Sequence, residues 1–226
     1  ILSRGDAQIN SLRFTRLLIA AAVQRGLSAF AHTRIGEIEE RPDGIVAHAN
    51  AATIRAEAIV YASGYQTEQH LDETKGLLSS TYAVASQSYL AIPGWPDEWL
   101  IWETARPYFY ARRTSDGRVL MGGEDTPFAD DHDRDELVER QVEKLLDRFR
   151  QLSGVDIAAD YAWAGTFAQT KDGLAYIGQS ANRPRAYYAL GYGGNGITFS
   201  AVAARIICDL LVGRPNADAQ VFRFGR

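Results

Sequence analysis

At 226 residues and 46% hydrophobic content, the chain can bury a substantial core, as one large domain or two small ones. A formal net charge of -4 argues against nucleic acid or an anionic membrane as the main partner, since both require a basic face. The single cysteine excludes disulfides and a thiolate metal cluster and fits a reducing cytoplasm.

Asn10 and Ser11 are good caps for a helix running to about Arg25, with Phe14, Leu17, Leu18, Ala21 and Ala22 on one face and Gly26 as its stop. Strand-like runs follow over 28–40 and 44–49, around the turn Arg41-Pro-Asp-Gly44, and Thr53-Ile-Arg55 reads as an edge strand. Glu57-Ala-Ile-Val-Tyr61 is a compact apolar run of the kind buried on both faces, ending at Ala62-Ser-Gly64. After about Lys75 the pattern turns β-rich, over 81–92, 100–102, 108–113 and 118–122, with Ser115-Asp-Gly117 as a hairpin connection. Alternation along 108–113 places Tyr108, Tyr110 and Arg112 on one face and Phe109, Ala111 and Arg113 on the other. A charged helix over 134–152 carries an apolar stripe of Val138, Val142, Leu145, Phe149 and Leu152. A strand over 157–168, bent at Gly165, precedes the turn Lys171-Asp-Gly173 and a short strand to Ile177.

The chain then builds a strand at 186–190, the turn Gly191-Tyr-Gly-Gly-Asn-Gly196 and an apolar helix to Gly213. Gly191, Gly193 and Gly196 satisfy G-x-G-x-x-G, and Gly194 adds a fourth glycine, so backbone N–H groups can approach a ligand closely. The helix N-terminus adds unpaired donors and a positive dipole end. Too little chain follows for the further strands of a self-sufficient dinucleotide site. Asn195 and Thr198 place polar groups where a turn serving only helix–strand packing needs neither. Cys208, among Ile206, Ile207, Leu210 and Leu211, reads as a core thiol. No apolar run reaches membrane-spanning length. The only methionine is Met121, residue 1 is isoleucine and no signal-peptide pattern opens the chain, so it reads as part of a longer protein.

Trp163-Ala-Gly165, Lys171-Asp-Gly-Leu-Ala-Tyr-Ile-Gly178 and Tyr188-Ala-Leu-Gly-Tyr-Gly-Gly-Asn-Gly-Ile-Thr-Phe-Ser200 resemble the C-terminal portion of the FAD-dependent D-amino-acid oxidase and glycine oxidase superfamily. Gly5-Asp-Ala-Gln-Ile-Asn10 and Ala58-Ile-Val-Tyr-Ala-Ser-Gly64 are similar to that family's middle segment. The resemblance implies an α+β (mixed α/β) fold. Residues 1–75 would form a partial FAD-binding domain, 76–160 a substrate domain on a large mixed or antiparallel sheet flanked by helices, and 161–226 the return to the FAD-binding domain. It implies that Gly64, Trp163, Gly165, Gly191, Gly193, Gly194, Asn195, Gly196, Ile197 and Thr198 line the flavin, and that the helix end favours the reduced ring. Its pyrophosphate grip would lie upstream, so the 226 residues alone would hold FAD weakly.

The implied reaction is hydride transfer from a neutral amine to the flavin, giving an imine that water hydrolyses; no acid–base dyad is needed, and no metal. The four histidines show no ligand-like spacing. Tyr108, Tyr110 and Arg112, with Phe167 and Tyr192, are the substrate-side candidates; the tyrosine strand face serves equally as a cavity wall or as a packed sheet surface. Glycine-oxidase-like enzymes carry an arginine just after Trp-x-Gly, where this chain has Phe167, and a phenyl ring cannot replace a bidentate Arg–carboxylate contact, so either Arg112, Arg106 or another cation takes over or the substrate is not a simple amino acid. Gly194 stands where relatives place a larger side chain, which suggests extra room. Both point to a bulkier or less acidic amine. The electron acceptor is oxygen or a quinone; a non-catalytic module docking on a separate flavin subunit is the alternative. The face made by 58–61 and the C-terminal helix should be partly uncovered, which allows a homodimer.

Overall fold

The Asn10 side chain accepts from the Arg13 amide and starts helix α1 (Ser11–Val23), and Gly26, at φ +102°, ends the segment. The computed structural model describes residues 5, 7–50, 52–71, 76–89, 92–96 and 99–226. Expectations that fall on Asp6, Lys75, Leu90 and Ala91 lie outside them. The hairpin of β1 (Ile35–Arg41) and β2 (Gly44–Ala49) turns at Pro42-Asp43, and β3 (Ala52–Ala56) adds a fully exposed edge. The strand expected from Ser28 begins only at Ile35.

A second sheet has the order β10 (Tyr176–Ser180), β11 (Arg183–Leu190), β4 (Ile59–Tyr61). Here β4 runs parallel to β11, Tyr61 beside Tyr188. In β4 only Tyr61 is buried and Val60 is exposed, so the run is not covered on both faces as expected: it occupies the sheet edge. Tyr61 stacks on Tyr188 and His70, and Arg183 ties this cluster to Glu40 of the hairpin.

The third sheet is antiparallel and five-stranded: β6 (Ile101–Trp102), β7 (Phe109–Arg113), β8 (Arg118–Pro127), β5 (Leu77–Ser88), β9 (Ala159–Gln169). The expected boundary between residues 160 and 161 falls inside β9, and pairing runs unbroken through Gly165. One face of this sheet (Tyr82, Val84, Phe109, Ala111, Val119, Met121) packs on α3 (Val138–Ser153) through Val142, Leu145 and Phe149. Full burial of each such side chain contributes about 1.5–3 kcal/mol. The expected 134–152 helix is two: α2 (Asp131–Glu136) stops at Leu137 before α3 begins. Leu152 is exposed, outside the buried stripe.

Helix α4 (Gly196–Leu211) buries Ala203, Ile206 and Ile207 against β10 and β11, and a short α5 (Ala219–Phe222) closes that cluster. Cys208 is exposed, contrary to expectation: with Ile206 and Ile207 inward, helical spacing turns residue 208 outward. Ile197, Ala201, Ala204, Cys208 and Leu211 share that outer face, which is apolar and open. So is α1, none of whose residues is buried. No described helix is long and apolar enough to cross a membrane.

Candidate functional site

Paired residues of adjacent strands point to the same side of a sheet, so the register of the five strands shows which side chains share a face. Trp163 lies beside Ala83, Ala83 beside Gly122, Gly122 beside Tyr110 and Tyr110 beside Trp102. Gly165 pairs with Thr81 and Phe167 with Ser79 on that same side. The face opposite α3 thus gathers Tyr108, Tyr110, Arg112, Trp163, Gly165 and Phe167, taken from two stretches about 50 residues apart. The packed side of the tyrosine strand is the one carrying Phe109 and Ala111, so Tyr108 and Tyr110 lie on the side away from α3.

Small residues give this wall its shape. A methyl group on Gly122 would meet the Tyr110 ring at 2.5 Å and the Tyr82 carbonyl at 2.9 Å, so the tyrosine ring lies directly over the glycine backbone. Tyr108 and Tyr110 have ring centroids 6.1 Å apart, and the Arg106 guanidinium sits 5.0 Å over the Tyr108 ring. Burial, then the neighbouring Asp125, pushes the Tyr108 hydroxyl above its ordinary pKa; burial, Tyr108 and Asp125 do the same to Tyr110. Both therefore stay neutral donors.

The glycine turn meets this wall. The bridge between Gln169 and Tyr192 and the Gly193 amide donating to the Ala168 carbonyl (2.9 Å) dock the turn on the end of β9. Gly191 and Gly193 take left-handed φ values of +75° and +54°. A methyl on Gly191 would sit 2.6 Å from the Thr170 side chain. A methyl on Gly194 would sit 3.0 Å from the Tyr108 hydroxyl. The extra room expected at Gly194 is therefore occupied by Tyr108. Asn195 makes no side-chain cap, and the amides of Gly196, Ile197 and Thr198 donate to no described residue, which leaves the mouth of α4 open. Gly64, at φ +65° just past β4, adjoins the same region because β4 and β11 run in parallel toward it.

Two candidates point elsewhere. The Tyr192 ring stacks on Phe199 at 6.0 Å in the α4 cluster, and burial, eased by Ser200, raises its hydroxyl. Arg112 donates to the Gln8 side chain at 3.2 Å, at the far end of the strand from Gly194. The sequence reading missed Thr81, Gly122 and Asp125. Gly122-Gly123 inside a strand was the available signal, since paired glycines there mark a bulge or a close approach. No group of residues suited to a metal ion occurs among the described residues.

An open helix mouth at the carboxyl ends of parallel strands, facing an aromatic sheet, is the arrangement of cofactor-dependent α/β enzymes. Residues 1–210 match the family model described as FAD dependent oxidoreductase, and the chain belongs to that family. It is 29% identical over 217 residues to glycine oxidase of Geobacillus kaustophilus (strain HTA426), covering 94% of this chain and 56% of the relative. It is 39% identical over 113 residues to gamma-glutamylputrescine oxidoreductase of Escherichia coli (strain K12), covering 50% of this chain and 24% of that protein. The crystal structure of glycine oxidase from Geobacillus kaustophilus matches with a TM-score of 0.82 at 24% identity, over 98% of this chain and 60% of the other. That of L-proline dehydrogenase from P. horikoshii matches at 0.81 and 16%, over 94% and 58%. The α+β fold is thus shared with these enzymes. The chain spans about half the length of the curated relatives that it matches along nearly its whole extent.

The residues present fit the ring end of a flavin. Free amides at the α4 mouth and glycines without side chains suit an electron-rich ring edge, and the tyrosine wall stands beside them.

Proposed function

We propose that this chain supplies the substrate wall and the flavin-ring side of an enzyme that oxidises an amine or amino acid by hydride transfer to FAD. One observation carries the reading: the Tyr108 hydroxyl abuts Gly194, so the wall and the helix mouth are two sides of one space. Bound FAD would supply the two-electron acceptor. The protein's part is to hold an amine against it. Tyr108 and Tyr110 offer neutral hydroxyls and ring faces, and Trp163 and Phe167 extend the apolar surface. Gly193 to Thr198 present amides where negative charge grows on the ring. Phe167, in place of a carboxylate-binding arginine, supports a bulkier or less acidic amine than glycine.

The test is the full-length flavoprotein mixed anaerobically with a panel of amines and amino acids, following loss of the visible flavin absorbance. Bulky amines should reduce it fastest; glycine or small D-amino acids as best substrates would overturn the substrate reading. Oxygen consumption then separates an oxidase from a dehydrogenase that uses a quinone. We also propose that the 226 residues alone hold FAD weakly, since they offer the ring side; a purified chain with full flavin absorbance would refute this.

A further inference from the structure

The substrate wall contains one carboxylate, and the fold spends a backbone irregularity to place it there. Tyr82 pairs with Gly123 and Ser80 with Thr126, so β8 carries one residue more than β5 across this interval, which is a β-bulge. Glu124 takes the left-handed φ of +54° that the bulge requires, uncommon for a residue other than glycine. The consequence is a change of face. Thr126 points to the α3 side, where its hydroxyl meets that of buried Tyr82 at 3.1 Å. Asp125, one residue earlier, therefore points to the opposite side, with Thr81, Tyr108 and Tyr110. The Glu124 side chain goes to α3, where it faces Lys144 at 3.7 Å.

Asp125 is poorly compensated in that position. Its Oδ1 is buried and has no hydrogen-bond partner, and no ion pair engages it among the described residues. The Arg106 guanidinium lies over the Tyr108 ring, without an ion pair to the carboxylate. Thr81 and the charge of Arg106 favour its charged form, and burial outweighs them and pushes its pKa up. A half-buried carboxylate with an orphaned oxygen is costly until a further donor completes it.

We propose that Asp125 binds an ammonium group of the substrate remote from the carbon that is oxidised, so that the preferred substrate is a diamine. This rests on the wall being the substrate site. The two tyrosine rings give the methylene chain between the nitrogens a surface to lie on, and the apolar Phe167 offers a carboxylate nothing. A substrate carboxylate beside Asp125 would be repelled.

The experiment uses the full-length flavoprotein and matched five-carbon probes. Cadaverine should exceed pentylamine in kcat/KM by tenfold or more, and δ-aminovalerate should be the poorest of the three. Binding is read independently of turnover by calorimetry with α,α,α′,α′-tetramethylcadaverine, which lacks hydrogen on both carbons bearing nitrogen. It should bind at least tenfold tighter than α,α-dimethylpentylamine. Asp125→Asn should reduce both preferences to about one, and Asp125→Glu should keep part of them. Equal use of cadaverine and pentylamine, a preference for δ-aminovalerate, or a diamine preference that survives in Asp125→Asn would each overturn the assignment. The first two would leave the amine-oxidising function standing. A flavin that no amine or amino acid reduces would instead remove the function, and calorimetry would still decide on Asp125. If Asp125→Asn gives no folded protein, the wild-type probe ratios and Asp125→Glu decide.

Discussion

The two faces of the five-stranded sheet use the same strands for opposite purposes. The α3 face carries large side chains, and Tyr82, Val84, Val119, Met121, Leu145 and Phe149 are fully buried there. The other face carries glycines, tyrosines, Thr81 and Asp125, and its Trp163 is 45% exposed. Neighbouring residues on one strand thus answer to different demands: Met121 fills space while Gly122 leaves it. Stability is concentrated on one side of a backbone only one residue thick, so the other is free to vary its chemistry.

Substitution should make this difference measurable. Phe149→Ala, on the packed face, should cost about 3–5 kcal/mol in urea unfolding. Trp163→Ala, on the open face, should stay below about 1 kcal/mol. Similar costs for the two would erase the distinction. Gly122→Ala tests the open face where it is tightest: a methyl against the Tyr110 ring and the Tyr82 carbonyl should cost about 1–3 kcal/mol. In the full-length enzyme it should also slow flavin reduction by displacing Tyr110. Glu124→Gly relieves the left-handed residue, worth about 1–2 kcal/mol by itself. Because it gives up the Lys144 contact and adds chain entropy to the unfolded state, the net change should lie within about 1 kcal/mol of zero.

The smallest effect is in acid, where two carboxylates should act with opposite sign. Asp125, raised mainly by burial, holds its proton more tightly folded than unfolded. Its ionisation therefore opposes folding above its raised pKa, and the penalty disappears below the unfolded value near 4. Asp172, held well below the usual carboxylate range first by Arg226, stabilises the fold above the unfolded value and loses this as pH falls further. Compared with wild type, Asp125→Asn should gain stability at neutral pH and Asp172→Asn should lose it, with both differences fading toward acid. Thermal unfolding across that range checks the signs.

Periodicity made the packed face legible: Val142, Leu145 and Phe149 sit at helical spacing, and Phe109 and Ala111 alternate with the tyrosines. The glycine turn and the split of its helix from β11 were equally plain, because glycine spacing is local. What a single strand could not reveal was the neighbour across the sheet. Tyr108 meets Gly194 through tertiary placement, and Asp125 reaches the wall through a bulge that depends on the Ser80–Tyr82 register. Cys208 and the 57–61 run failed for a related reason. Apolar neighbours in sequence say that burial is available, and the face of the helix or the edge of the sheet decides who receives it. The same holds for α1, whose apolar residues are written for a partner that no described residue supplies.

The pairing of Leu77 with Gln169 brings the first residue of β5 beside the last of β9. The large sheet therefore begins and ends at the same place, and its strands pair antiparallel throughout. The parallel pair of β4 with β11 spans this entire segment, and the pairing of the large sheet's first and last residues shortens the loop that this pair has to close.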